Sequence, residues 1–194
     1  MVQGLPGDVV ECGLGEGNTF SMLAYLVGSD INRSRILWGF DSFKGWPAPT
    51  RWDESPRNPQ EGEWAVTEEM IQARLDESGI RKAFPGLDLR IVKGFFDRSL
   101  PNFPARPIAF LHIDADLYPS YRDALKYLFP HVVVGGIVAF DEYREFPSGP
   151  EYADRTIEKW PGASKAINDY FANRSETIQY HPETKKYYVV KKKK

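Results

Sequence analysis

Two apolar patterns alternate along this chain. Short unbroken apolar runs, each closed by an acid, are separated by stretches whose apolar residues recur at helical spacing. The clearest run is Ile108-Ala-Phe-Leu-His-Ile113, which ends in Asp114 and, two residues later, Asp116. Such a run reads as a strand buried on both faces. Gly136-Ile-Val-Ala-Phe140 is a second one and ends in Asp141 and Glu142. Between them, residues 120–129 have helical spacing and stop at Pro130. Strand, helix and strand make a crossover, so the two strands run parallel. Burying both faces of a sheet needs helices above and below. In such open sheets ligands sit beyond the carboxyl ends of the strands. The pattern therefore predicts four carboxylates, Asp114, Asp116, Asp141 and Glu142, converging at one sheet edge.

The same reading covers the remaining chain. Asp8–Cys12 is a short strand, followed by the glycine loop Gly13-Leu-Gly-Glu-Gly17 and a helix to about Val27, with Asn18 and Thr19 as its caps and Gly28 as its stop. Arg35–Phe40 is a strand ending at Asp41 and Ser42. Thr67 caps a helix whose apolar face is Met70, Ile71 and Leu75. Leu87–Lys93 is a further strand, with Gly94, Phe95 and Phe96 at its carboxyl end. Residues 163–174 read as a helix. Glu176–Tyr180 and Lys186–Val190, joined by a short turn, form an antiparallel hairpin. The expected fold is α/β, with a mostly parallel seven-stranded sheet, helices on both faces and a reversed hairpin at the end. No repeat or composition shift divides the chain, so one domain over 1–194 is expected.

Composition adds limits. The 194 residues carry a net charge of −2 and 42% hydrophobic residues, ordinary for a globular protein. That balance points to neither nucleic acid nor an anionic membrane. No apolar run approaches the roughly 20 residues of a membrane span. Cys12 is the one cysteine, which excludes an intramolecular disulfide and agrees with a reducing, cytoplasmic setting. Lys191–Lys194 reads as a solvated end. Association with a second copy stays open.

Candidate chemistry gathers at the strand ends. A strand, a glycine loop and a helix start form a nucleotide-binding layout, because glycines admit the ligand to the backbone and the helix end offers N–H groups. The dinucleotide fingerprint is not met: the glycines are 13, 15 and 17, and Asn18 stands at its last position. Asp41 can accept ribose hydroxyls or serve as a turn residue. Phe95 and Phe96 can flank a base, with Asp97 accepting from its exocyclic amine, or can be core. Crowded carboxylates repel unless a cation or protons neutralise them, and oxygen ligation suits Mg²⁺ or Ca²⁺. His112, inside its strand, reads as a supporting histidine rather than a ligand. Residues 44–65, with Trp46, Trp52 and Trp64 among prolines, and residues 144–160 are long loops beside the acidic edge. They read as lids over an acceptor, or as loops whose tryptophans pack on the core.

Glu11-x-Gly-x-Gly-x-Gly, Asp41 and the terminal hairpin together resemble class I S-adenosylmethionine (SAM) methyltransferases. Leu37-Trp-Gly-Phe-Asp-Ser-Phe-Lys-Gly45, Gly94-Phe-Phe96, Leu111-His-Ile-Asp-Ala-Asp-Leu-Tyr118 and Asp141-Glu-Tyr143 are more closely similar to the macrocin O-methyltransferase family. The resemblance implies a Mg²⁺-dependent O-methyltransferase acting on a hydroxyl of a small molecule such as a sugar, polyol or natural product. It implies metal ligands Asp114, Asp141 and Glu142, with Glu142 standing where the family usually has Asp, and Asp116 as general base. SAM would lie along Glu11, Cys12, Gly13, Gly17, Asn18, Thr19, Asp41, Ser42, Gly94, Phe95 and Phe96, bordered by Asp114. If extended geometry persists past Ile113, Asp116 shares Asp114's side of the strand. The rival readings are an NAD-dependent oxidoreductase and a SAM-binding domain without catalysis.

Overall fold

A computed structural model describes residues 2, 4–30, 34–146 and 157–193. In chain order the elements are β1 (Asp8–Cys12), α1 (Asn18–Gly28), β2 (Ile36–Asp41), α2 (Glu68–Glu77), α3 (Ile80–Ala83), β3 (Asp88–Lys93), α4 (Phe96–Ser99), β4 (Ile108–Ile113), α5 (Tyr118–Leu128), β5 (Val132–Phe140), α6 (Pro161–Phe171), β6 (Gln179–His181) and β7 (Lys186–Val190). One seven-stranded sheet has the order β3-β2-β1-β4-β5-β7-β6. The first five strands pair in parallel, and β7 runs antiparallel to both β5 and β6. The order reverses between β1 and β4, where ligands of open sheets bind.

Every residue of β1 is buried, as expected for the central strand of a covered sheet. Its side chains alternate between two cores. Val9 packs with Phe20, Leu23 and Ala24 of α1 and with Ile71 and Leu75 of α2. Val10 and Cys12 pack on the opposite face with Tyr121, Leu125 and Leu128 of α5 and with α6. Helices thus cover both faces.

Some local expectations are corrected. Neither Asn18 nor Thr19 caps α1; the cap position is Gly17, at φ 81°, with no side-chain bond. Gly28 belongs to the helix, where a Cβ would lie 2.5 Å from the Phe84 ring. Thr67 does cap α2 by accepting from Met70 N, but Met70 itself is exposed, and only Ile71 and Leu75 form the buried face. The fifth strand begins at Val132, and its pairing with β4 jumps from Ile108↔Val132 to Phe110↔Ile137. The extra residues bulge out at Gly135, whose φ of 83° suits glycine.

Residues 44–65 are not structureless. Thr50 begins a short 3₁₀ turn, Arg51–Asp53, in which Thr50 and Asp53 cap each other. The buried Asp53 carboxylate also accepts from Tyr118 N at the start of α5, at 2.7 Å. The favourable dipole end of that helix adds to the bond. A Cβ on Gly162 would fall 1.8 Å from Asp53 Oδ1, so glycine there lets α6 close on the same anchor. Of the second long loop, residues 147–156 lie outside the described residues; its ends meet where Lys159 N donates to Glu145 O at 2.8 Å.

Candidate active site

The carboxyl ends of β1 and β4 meet tightly. Gly13, at φ 85°, donates to Phe40 O, and a Cβ on it would sit 1.7 Å from Asp114 O. No other residue type fits there. Asp41 fastens the glycine loop: its carboxylate accepts from Leu14 N and Phe43 N, each at 2.8 Å. It therefore serves as the turn residue and lines the cavity as well. Because no side chain caps α1, the N–H groups of its first turn are left for a ligand.

The four acids gather at one end of the cavity and are held by different partners. Ligand atoms of His112, Asp114 and Asp141 lie within 4.8 Å of one another, the spacing of a cation site. His112 Nδ1 sits 2.9 Å from Glu11 Oε1 in β1, so a carboxylate fixes the imidazole. The other oxygen of Glu11 is buried and has no hydrogen-bond partner among the described residues. Burial pushes the Glu11 carboxyl up to about 7, partly offset by His112. Burial opposes the charged imidazole, but Glu11, Asp114 and Asp141 outweigh it and raise its pKa. Burial and then Asp141 raise Asp114.

Glu142 is the one of the four acids that is buried. Its carboxyl turns inward, within hydrogen-bond distance of the Tyr121 hydroxyl, and accepts from Ala115 N and Asp116 N at 3.3 and 3.2 Å. Burial, then Asp114, Asp116 and Asp141, hold its pKa well above the usual range. His112 lies in the cluster with Asp114 and Asp141, and Glu142 adjoins it through a side-chain contact with Asp114.

Asp116 is not extended. It has φ 58°, a left-handed conformation uncommon for a non-glycine residue, so it leaves the strand direction shared with Asp114. Its Oδ2 accepts from Trp46 Nε1 at 2.9 Å. Burial, then Asp114, push its pKa up to about 7, with Trp46 pulling the other way. A cation also reaches the cluster: Lys186 Nζ lies 2.7 Å from Asp141 Oδ1 and donates to Asp141 O at 3.1 Å. Asp141 outweighs the effect of burial on that amine and raises its pKa.

A cavity of about 650 Å³ joins the two ends. Of the expected cofactor contacts, Gly13, Asn18, Thr19, Asp41, Ser42, Phe95, Phe96 and Asp114 line it, as do Asp97, Asp116, Asp141 and Glu142. Glu11, Cys12, Gly17 and Gly94 stand behind the wall instead. Glu11 and Cys12 are buried in β1, Gly17 faces Ile71 of α2, and Gly94 turns the chain while donating to Asp41 O. Gly15, with open space at its Cβ position, is the loop glycine that faces the cavity beside Gly13.

A model of the macrocin-O-methyltransferase family (TylF) matches residues 1–159. The chain belongs to this family. It is 30% identical over 174 residues to demethyldecarbamoylnovobiocin O-methyltransferase of Streptomyces niveus, covering 84% of this chain and 63% of the relative. It is 28% identical to mycinamicin III 3''-O-methyltransferase of Micromonospora griseorubida, covering 72% and 56%. The chain thus spans less than two thirds of the length of either relative. Among solved structures, the O-methyltransferase NovP superposes with a TM-score of 0.75 at 25% identity, covering 97% of this chain and 73% of its own. The calicheamicin methyltransferase CalS11 does so with 0.78 at 25%, covering 97% and 74%. The sheet order and terminal hairpin are those of class I O-methyltransferases.

Sequence reasoning missed three contributors. Lys186 was legible in retrospect: the register Phe140↔Tyr187 puts the preceding residue of β7 beside Asp141. The pairing of His112 with Glu11 follows from the β1–β4 register, which sets these two residues side by side. Trp46 reaches Asp116 across 70 residues of sequence, and no local pattern announces that bond.

Proposed function

We propose that this chain is a SAM-dependent, Mg²⁺-dependent O-methyltransferase that methylates a hydroxyl of a small molecule, a sugar, polyol or natural product. The observation that carries this reading is the single cavity uniting an open glycine loop with a carboxylate held near pKa 7 beside a cluster that could take a cation.

The residues fit both groups. For the cofactor, the uncapped start of α1, Gly13 and Gly15 leave backbone N–H groups and room for the methionine end, and Asp41 has acceptor capacity left for ribose hydroxyls. Phe95, Phe96 and Asp97 line the same cavity, and two aromatic faces beside an acceptor suit an adenine base. For the metal, Asp114 and Asp141 supply hard oxygen donors whose mutual repulsion, partly offset by Lys186, favours a cation, and His112, fixed by Glu11, stands beside them. Bound there, Mg²⁺ would acidify and orient the acceptor hydroxyl, and SAM would supply the electrophilic methyl.

The chain's own work is proton transfer and placement. Trp46 occupies Oδ2 of Asp116, which leaves Oδ1 to take the hydroxyl proton. A base with a pKa of about 7 is about half ionised at neutral pH and basic enough to accept that proton. The glycine loop and the acid loop are joined by Asp114 N donating to Cys12 O at 2.9 Å, so donor and acceptor are held against each other. Calorimetric titration with S-adenosylhomocysteine (SAH) and with NAD tests the reading. SAH binding without NAD binding is expected, and tight NAD binding without SAH binding would overturn it.

A further inference from the structure

We propose that Trp64 and Trp46 form the acceptor subsite, Trp64 taking the apolar face of an uncharged ring and Trp46 holding Asp116 toward that ring's hydroxyl. This rests on the methyltransferase reading and adds to it the residues that choose the acceptor.

The two indoles are brought together by backbone pairing: Trp46 N donates to Glu63 O and Gly62 N to Trp46 O, both at 3.0 Å. Gly45 permits the approach, at φ 74° and with Glu63 O only 2.3 Å from where its Cβ would be. The rings stack with centroids 6.2 Å apart and planes 17° from parallel. Trp46 is only 6% exposed, held edge-on by Trp160 at 5.2 Å and covered by the Arg57 guanidinium. Trp64 is 71% exposed and still lines the cavity. Other exposed apolar side chains, such as Met22, Tyr25 and Leu26 on α1, do not face it. A rigidly backed aromatic face, open to a cavity and ending at the catalytic carboxylate, suits the C–H face of a sugar ring or a flat aglycone.

Charge decides which rings. The cations of the lining are Arg57, Arg98, Arg122 and Lys159. Each already faces a carboxylate: Glu63, Asp97, Asp123 and Glu145. Among the described residues each lining cation thus has a carboxylate neighbour, and the lining holds more carboxylates than cations, so a phosphate or carboxylate on the acceptor would be repelled. The charge balance favours an uncharged glycoside over a sugar nucleotide.

The test titrates the full chain, with and without SAH, with p-nitrophenyl glycosides of rhamnose, glucose and galactose and with dTDP-rhamnose. At least one neutral glycoside should bind, and more tightly than dTDP-rhamnose. Trp64→Ala should weaken that glycoside about tenfold and Trp64→Phe much less, with SAH affinity unchanged in both. Trp46→Phe keeps a ring and removes the N–H, so kcat for that glycoside should fall about tenfold or more with KM unmoved. Tighter binding of dTDP-rhamnose, no glycoside binding in a protein that binds SAH, or an unaltered affinity in Trp64→Ala would overturn the subsite. A Trp46→Phe variant altered in KM alone would overturn the positioning role. Failure of SAH itself to bind would instead remove the methyltransferase reading, and the titrations without SAH would still judge the ring subsite.

Discussion

The two halves of the cavity are built from the same parts, acids at the ends of parallel strands, and treat them oppositely. On the β2 side, Asp41 spends its carboxylate on two backbone amides and fastens a loop. On the β4–β5 side, Asp114 and Asp141 crowd together with little backbone help; burial and then Asp141 push Asp114 upward in pKa, and burial and then Asp114 push Asp116 upward. The first arrangement is complete without a ligand. The second is complete only when protons, Lys186 or a cation offset the charge. An acid already satisfied by the backbone shapes a site, whereas one left crowded is available for chemistry.

The comparison breaks most visibly at Asp116. Asp116→Asn should cost about 10²–10⁴-fold in methyl-transfer rate and leave both SAH and metal affinity in place, as read by initial rates and calorimetry. Loss of metal binding in this variant would join two acids that the structure separates.

Acidity gives the next effect. A base with a pKa near 7 is protonated at lower pH, so the rate should rise as pH increases through about 7. Stability should run the other way in metal-free protein. Glu11 and Asp116, raised to about 7, bind protons in the folded chain that the unfolded chain has released, so folding weakens as pH rises from their ordinary range toward 7. Added Mg²⁺ should offset part of that loss in thermal melts across this window. Melting temperatures that climb steadily from pH 5 to pH 7.5 without metal would contradict the crowding.

On the fastened side, Asp41→Ala should weaken SAH by about 1–3 kcal/mol without altering metal affinity. The smallest effect should come from Glu142→Gln. A buried carboxyl turned toward Tyr121 is closely imitated in shape by an amide, so metal affinity should stay within about threefold of the parent, below a 1.4 kcal/mol change. A tenfold loss would restore Glu142 as a ligand.

Much of the sheet was legible because buried parallel strands write themselves as unbroken apolar runs, and Ile108–Ile113 and Gly136–Phe140 do so plainly. The acids that close those runs announced the site's location for the same reason. What the sequence did not carry was conformation beyond the strand ends. Asp116 leaves the extended path through one positive φ, and Glu142 turns inward toward Tyr121, a residue 21 positions away. Neither depends on local pattern. The glycine loop was recognised, but which glycine faces outward was not, because Gly13 and Gly17 answer to Asp114 and Ile71, distant in sequence. The tryptophan segment read as lid or core, and the structure divides it: Trp46 is core and Trp64 lies open.

The most direct measurement is paired calorimetry on Asp114→Asn, titrating SAH and Mg²⁺ separately into the same preparation. If the satisfied and crowded halves hold different partners, the variant binds SAH with the parent's affinity and gives no Mg²⁺ heat where the parent does. Unchanged Mg²⁺ binding, or loss of SAH together with the metal, would contradict that division.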